Sequence, residues 1–330
     1  MNVSILSART GWHTDELCRA LAERGHVGVV VPYEGLVARL GSGSKWGGSK
    51  DPQPRTQDGG SKDPQLRART PPDGLRSDGV PLFEADAVIA RIIPSGSLEQ
   101  IIYRVDALHW IEERGVPVIN SPRAIERAVD KFYTSALLQE AGLPTVETVV
   151  CERAADAMAA VRELGDVVIK PIFGSMGNGL VRVSDPDVAF RVVKALETTR
   201  TVFYVQRAID HGGRDYRLFV VGGRVLAAIE RQAAGGDWRS NVARGAAAVP
   251  FDPPGDWQAF AARAAAVIEA DYAGVDLLMD RDGRVYVLEV NGIPGWEGLQ
   301  RATGVDVAGA LVDHVAVRVL AGRAGAAHPA

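Results

Sequence analysis

The chain has 330 residues, 46% of them hydrophobic, and a formal net charge of -4. That length accommodates two or three domains, no apolar run approaches the roughly 18 residues of a membrane span, and the acidic balance offers no electrostatic basis for nucleic-acid binding. Cys18 and Cys151 lie outside any metal or redox spacing, so free thiols in a reducing cytoplasm are expected.

The opening, Met1-Asn-Val-Ser-Ile-Leu-Ser7, lacks a basic n-region and reads as a strand over 3–7 rather than a secretion signal. A helix over 14–24, with Thr14 as N-cap and Gly25 closing it, leads to a strand over Val27–Val31. Alternation of this kind predicts an α/β unit on a parallel sheet. The loop between strand and helix lacks the GxGxxG spacing of a dinucleotide site. Residues 41–79 interrupt the pattern: Gly-Gly-Ser-Lys-Asp-Pro-Gln occurs at 47–53 and again at 59–65, amid proline, serine and charge. Such a stretch buries too little apolar surface to offset its ordering entropy, and it is expected to be a disordered insertion. A strand over Asp86–Ile93, a helix near 98–114 and a strand over Val116–Asn120 complete a domain spanning 1–120.

Ser121-Pro122 is an N-cap followed by proline at the first helical position. Beyond it, strands at 145–152, 166–172, 180–184 and 201–207 alternate with helices at 154–164 and 186–197. A hairpin turns at Gly222-Gly223, a helix covers 257–270, and a second hairpin turns at Asp282-Gly283, a strong short-range hairpin signal. A helix near 305–320 precedes a frayed tail, and the expected divisions are 121–205, 206–320 and 321–330.

Three segments carry chemistry. Lysine is scarce: only 45, 50, 62, 131, 170 and 194 hold it. In a chain that uses arginine nearly everywhere, Lys131 and Lys170 stand out as compact, mobile ammonium groups. Lys170 ends the strand Val167-Val-Ile-Lys170 and feeds Phe173-Gly-Ser-Met-Gly-Asn-Gly179, whose glycines let backbone N–H groups approach an anion. No Walker A pattern is present. Arg231, Arg239 and Arg244, with Ser240 and Asn241, form a second group suited to phosphate or carboxylate oxygens. Asp215-Tyr-Arg217 either binds a ribose or second substrate, or pairs with itself on the surface. In the last hairpin, a two-residue turn sets 281 against 284 and hence Asp276 opposite Glu289, with Asn291 on the same face. Facing carboxylates repel, so a cation is expected between them. Oxygen-only donors suit Mg²⁺ or Mn²⁺, with substrate phosphates completing the shell. The six histidines form no HExxH-like set.

Together these segments resemble the RimK-like family of ATP-grasp carboxylate–amine ligases. The likeness is carried by Arg127-Ala-Val-Asp-Lys131, Val168-Ile-Lys-Pro-Ile-Phe-Gly-Ser-Met-Gly-Asn-Gly179, Arg214-Asp-Tyr-Arg217, Arg239-Ser-Asn-Val-Ala-Arg-Gly245, and Gly274-Val-Asp with Leu288-Glu-Val-Asn291. It implies an ATP-grasp fold, mixed α/β and α+β, behind an N-terminal parallel-sheet (pre-ATP-grasp) domain. It further implies that Lys131 and Lys170 hold the ATP phosphates beneath a flap of Gly174, Ser175, Met176, Gly177, Asn178 and Gly179. Main chain at Gln206, Arg207 and Ala208 would receive adenine, although Arg207 replaces the acidic residue usual there. Asp215, Arg239, Ser240 and Asn241 fall at nucleotide-contacting positions, Asp276, Glu289 and Asn291 at metal-binding ones, and Arg231 and Arg244 beside the transferred phosphate. The implied reaction activates a carboxylate as an acyl phosphate and joins it to the amine of L-glutamate. The segment Asn291-Gly-Ile-Pro-Gly-Trp296 resembles the branch acting on tetrahydromethanopterin-type one-carbon cofactors. A ligase for a protein or peptide C-terminus, such as that of a ribosomal protein, is the alternative. A non-catalytic nucleotide-binding module would be expected to lack some of these ligands, and none is lacking. Neither membrane nor nucleic acid is an expected partner, and a homo-oligomer stays open.

Overall fold

A computed structural model of the chain describes residues 1–41, 74–174, 179–233 and 247–326. The first unit contains β1 (Asn2–Leu6), α1 (Trp12–Glu23), β2 (Val27–Val31), β3 (Leu36–Arg39), β4 (Gly74–Ser77), β5 (Val80–Pro81), β6 (Ala87–Ala90), α2 (Leu98–Glu113) and β7 (Val118–Ile119). Its main sheet, ordered β2-β1-β6-β7, is parallel throughout, as the strand–helix alternation requires. The chain builds outward to β2 on one side of β1 and to β6 and β7 on the other, so the strand order reverses between β1 and β6.

Two expectations need correction here. Thr14 sits one turn inside α1: its hydroxyl accepts from Gly11 N–H at 2.8 Å and donates to the Gly11 carbonyl, so the cap position is Gly11. The stretch expected to be structureless to residue 79 ends earlier. Residues 74–77 form β4, paired with β3 and β5 and anchored by Leu75 in the core. Residues 42–73 lie outside the described part.

The second unit begins with α3 (Pro122–Val129) and α4 (Lys131–Glu140), then β8 (Thr148–Cys151), α5 (Ala154–Leu164), β9 (Val167–Lys170), β10 (Val181–Val183), α6 (Pro186–Glu197) and β11 (Phe203–Arg207). Its four strands, ordered β10-β9-β11-β8, are antiparallel. Val167, Ile169, Phe203 and Val205 point into a small core with α5 and α6. By strand alternation, Lys170, Tyr204 and Gln206 therefore occupy the opposite face. Helices α3 and α4, grouped with 121–205 on sequence grounds, pack instead on β16 of the large sheet described next, and α3 also on α2 of the first unit.

That third unit holds β12 (Arg214–Val221), β13 (Arg224–Gln232), β14 (Ala247–Pro250), α7 (Gly255–Val267), β15 (Tyr272–Met279), β16 (Val285–Asn291), α8 (Glu297–Thr303) and α9 (Val307–Ala326). The sheet runs β14-β13-β12-β15-β16, antiparallel throughout. One face, with Tyr216, Leu218, Val275, Leu277 and Val290, packs on α7. The other face is apolar at one end, where Phe219, Ile229 and Tyr272 meet α9 and the first unit. Its remaining end carries charge. No helix among the described residues is long and apolar enough to cross a membrane.

Asn120, fully buried where the chain leaves β7, ties the parallel sheet to the large one. Its Nδ2 donates to Tyr272 O at 2.7 Å and to Gly292 O at 2.5 Å, and its Oδ1 accepts from Tyr272 N–H at 3.0 Å. Asn120→Ala leaves these backbone groups unpaired in the interior. Because orphaned buried groups cost about 1–3 kcal/mol each, urea unfolding should register a loss of about 3 kcal/mol.

Candidate active site

The final hairpin reaches the expected pairing by a different route. Asp280 N–H donates to Arg284 O at 2.9 Å and Gly283 N–H to Asp280 O at 3.1 Å, so the loop is three residues, 281–283. Gly283 adopts φ 81°, a left-handed conformation that suits glycine there. The longer loop displaces the register by one, and a bulge returns it: Leu277 pairs with Val287, but Asp276 pairs with Glu289, leaving Leu288 as the extra residue. The two departures cancel, and Asp276 does face Glu289.

Asp276 itself is paired by two of the protein's own guanidinium groups. Arg217, directly opposite on β12, donates from Nε to Oδ1 and from Nη2 to Oδ2, both at 2.7 Å, a bidentate pair. Arg231 on β13 approaches Oδ2 with Nη2 at 3.1 Å and donates through Nε to Asp215. Asp215, Arg231 and Asp276 are each at least 95% buried. Burial alone would raise the Asp276 pKa, but Arg217 and Arg231 outweigh it and hold the carboxyl below the usual carboxylate range. Gly274 admits this packing: a Cβ there would come within 3.0 Å of the Pro294 ring and 3.5 Å of Arg217 Nε.

Glu289 and Asn291 lie beside this network. Glu289 is half-buried and forms no hydrogen bond or ion pair among the described residues. Asn291 Nδ2 reaches Gly274 O at 3.4 Å and Asp276 Oδ2 at 3.5 Å. Among the described residues no three His, Cys, Asp or Glu side chains converge as metal ligands. The donor set nevertheless fits Mg²⁺, which binds through one or two carboxylates and takes the rest of its shell from phosphate and water. Among the described residues no hydrogen bond engages the Glu289 carboxylate or the Asn291 amide oxygen, while Asp276 would share lone pairs already accepting from arginine.

The side where the sequence reading expects phosphates is the free face of the small sheet. Lys131, Lys170, Tyr204 and Glu289 line one cavity with Ala128, Thr134 and Ser135. Lys131 Nζ donates to Ile172 O at 3.2 Å and Gly174 O at 2.7 Å, holding the entry to the glycine-rich loop. Lys170 Nζ donates to Gln206 Oε1 at 2.6 Å, and Gln206 donates on to Thr148 Oγ1 at 3.0 Å. Burial lowers the Lys170 pKa to about 8, with Glu289 opposing and Lys131 adding to the shift. Its folded value lies below its unfolded one, so the free protein gains stability as pH rises from about 8 toward 10.5. An anion in the cavity favours the ammonium. ADP binding should therefore take up a proton near pH 8 and weaken between pH 7 and 9, as calorimetry in buffers of different ionisation enthalpy would detect.

The adenine contact expected from Gln206, Arg207 and Ala208 is constrained. Arg207 N–H already donates to Glu147 O at 2.9 Å and Ala208 N–H to Asp166 O at 2.8 Å. The Arg207 side chain grips Glu147 and the Leu164 carbonyl that ends α5. Ile209 N–H, next along the chain, has no acceptor among the described residues. Ser175, Met176, Gly177, Asn178, Arg239, Ser240, Asn241 and Arg244 lie outside the described residues. Sequence reading missed Arg217 as the partner of Asp276 and the Gln206 side chain as the partner of Lys170. The signal for the first was alternation, which puts residues 215 and 217 on one face.

Comparison with known proteins identifies the family. A family model described as RimK-like ATP-grasp domain matches residues 128–315. A tetrahydromethanopterin:alpha-L-glutamate ligase of Methanosarcina acetivorans is 32% identical over 261 residues, 71% of this chain and 81% of that protein. A probable alpha-L-glutamate ligase of Xanthomonas oryzae pv. oryzae is 38% identical over 244 residues, 73% of this chain and 81% of its own length. Among solved structures, the ATP-grasp ligase PsnB complexed with minimal precursor, Mg and ADP superposes with a TM-score of 0.69 at 20% identity, covering 96% of this chain and 98% of that one. Its likeness is one of fold.

Proposed function

The chain belongs to the RimK-like ATP-grasp family and is an ATP-dependent carboxylate–amine ligase, and from that premise we propose that it joins L-glutamate through its amine to a carboxylate on a tetrahydromethanopterin-type cofactor, releasing ADP and phosphate. One observation supports the chemistry above all: Lys131, Lys170 and Glu289 line a single cavity, with Asp276 and Asn291 beside Glu289 on the large sheet. The acceptor class follows the name of the Methanosarcina relative.

In this reading Lys131 and Lys170 hold the ATP phosphates, and Gly174 to Gly179 supply N–H groups to them. The 206–209 segment receives adenine. Asp215 keeps Arg231 oriented, and Arg231 with Arg244 neutralises charge on the transferred phosphoryl group, while Arg239, Ser240 and Asn241 complete the anion-binding surface. The substrate carboxylate attacks the γ-phosphate to give an acyl phosphate, the glutamate amine adds to the activated carbonyl, and phosphate departs. Glu289, Asn291 and Asp276 would hold Mg²⁺, with Mn²⁺ as the alternative oxygen-preferring ion. A bound metal supplies charge neutralisation and alignment of the β- and γ-phosphates. Excluding water around the acyl phosphate protects it from hydrolysis.

A peptide C-terminus is the second acceptor class; a precursor peptide is bound to the ligase PsnB, which shares this fold. ADP release with L-glutamate and each acceptor, followed by mass spectrometry of the product, tests the proposal. A glutamylated pterin supports it. Glutamylated peptide alone would transfer the assignment to the second class, and no ADP with any acceptor would end the ligase reading.

A further inference from the structure

Three arginines gather at the C-terminal end of the parallel sheet, apart from the groups assigned above. Arg91, directly after β6, is 2% exposed, Arg104 on α2 is 6% exposed, and Arg9, after β1, is exposed. None forms an ion pair among the described residues. Among the described residues Arg91 meets neutral groups: the Tyr272 hydroxyl at 3.1 Å, the Pro294 carbonyl at 3.2 Å through both Nη atoms, and the face of Trp296 at 4.5 Å. Arg104 donates to the carbonyls of Pro94 at 2.8 Å and Ser95 at 3.4 Å. Between Arg9 and Arg91 stands His13, whose pKa falls to about 4 through burial and the two guanidinium charges. It stays neutral at physiological pH and accepts from Trp296 N–H at 3.1 Å.

Buried charge is stable only when paired, and the described residues supply no counter-anion for Arg91 or Arg104. Their position suggests where one comes from. Strand order reverses between β1 and β6, and in open α/β sheets ligands bind outside the carboxyl ends of the strands at such a point. The two loops leaving these strands are joined by Ala8 N–H to Ile92 O at 2.9 Å. The crevice is also close to the proposed chemistry. Pro294, gripped by Arg91, follows Asn291 by three residues, at most about 10 Å of extended chain, and its ring abuts Gly274 beside Arg217.

We infer that this crevice binds a carboxylate of one ligation substrate, with Arg9 in direct contact and Arg91 and Arg104 supplying the positive field behind it. The inference rests on the ligase reading and deepens it. L-Glutamate, which must be gripped by its carboxylates while its amine stays free, and an acceptor bearing a second carboxylate present the same chemistry.

Arg9→Gln separates the sources, because Arg9 is exposed, its side chain pairs with none of the described residues, and its replacement leaves the fold intact. Steady-state kinetics should show KM for one of the two substrates rising about tenfold or more, the loss of a charge-assisted hydrogen bond, with KM for ATP unchanged. A rise for glutamate assigns the crevice to the amino acid, and a rise for the acceptor assigns it to the acceptor. Both KM values within twofold of wild type would overturn the inference. Calorimetric titration with L-glutamate and with glutarate, in the absence of ATP, keeps this test distinct from that of the function. Arg9-dependent binding in a protein that ligates nothing would sustain the anion site and discard the ligase reading. Ligation with no Arg9-dependence of either binding or KM would discard the anion site alone.

Discussion

Glu289→Gln should lower kcat at least about a hundredfold while leaving the fold intact. Preorganised electrostatic groups at a reacting phosphate or oxyanion each account for factors of this size. The substitution keeps the side chain's shape and removes only its charge. Since Glu289 forms no hydrogen bond or ion pair among the described residues, stability has little to lose. Two further consequences identify the cause. More Mg²⁺ should be needed to reach half-maximal rate, because one of at most two carboxylates in the proposed ligand set has gone. The Lys170 pKa should also fall below its value of about 8, since Glu289 holds it up. Unchanged turnover at ordinary Mg²⁺ concentrations would remove Glu289 from the metal site.

Arg231→Met should be the most destabilising single change in the site, by about 3–5 kcal/mol in urea or thermal unfolding. Arg231 is 3% exposed and serves two buried carboxylates, Asp215 and Asp276. Its loss removes one guanidinium from Asp215 and leaves Asp276 with Arg217. The cost is that of breaking a buried charge network, so it should shrink as pH falls through the depressed pKa of Asp276. The pair Arg281–Asp210 provides a contrast: its side chains are 75% and 59% exposed and screened by solvent, and removing it should leave the unfolding curve nearly unchanged. Equal effects at the two places would mean that the Asp215–Arg231–Asp276 network is no more coupled than a surface pair.

Much of this was legible in the chain because strand alternation is a local rule. It placed Asp276, Glu289 and Asn291 on one face, and it marked Lys170 as the end of the strand that feeds the glycine-rich loop, without knowledge of the tertiary structure. The pairing of Asp276 with Glu289 held although the turn did not follow the two-residue form, because the bulge at Leu288 restored the register. Thr14 shows the limit of local rules: a threonine ahead of an apolar run reads equally as a cap or as the residue three positions inside one. The partners of the charged groups were not legible. Arg217 reaches Asp276 across 59 positions of chain, and Gln206 reaches Lys170 across 36. Only the assembled sheets bring them together. The arginines at the parallel sheet's end were equally hidden, since burial without a counter-ion is a property of the fold alone.

The central claim is that a substrate carboxylate is activated by phosphoryl transfer before the amide forms. It is tested most directly by ligation with an acceptor whose carboxylate oxygens carry ¹⁸O, followed by mass spectrometry of the released phosphate. Attack of that carboxylate on the γ-phosphate, then displacement by the glutamate amine, leaves one labelled oxygen in each phosphate. Unlabelled phosphate, or label recovered in AMP, would contradict the account.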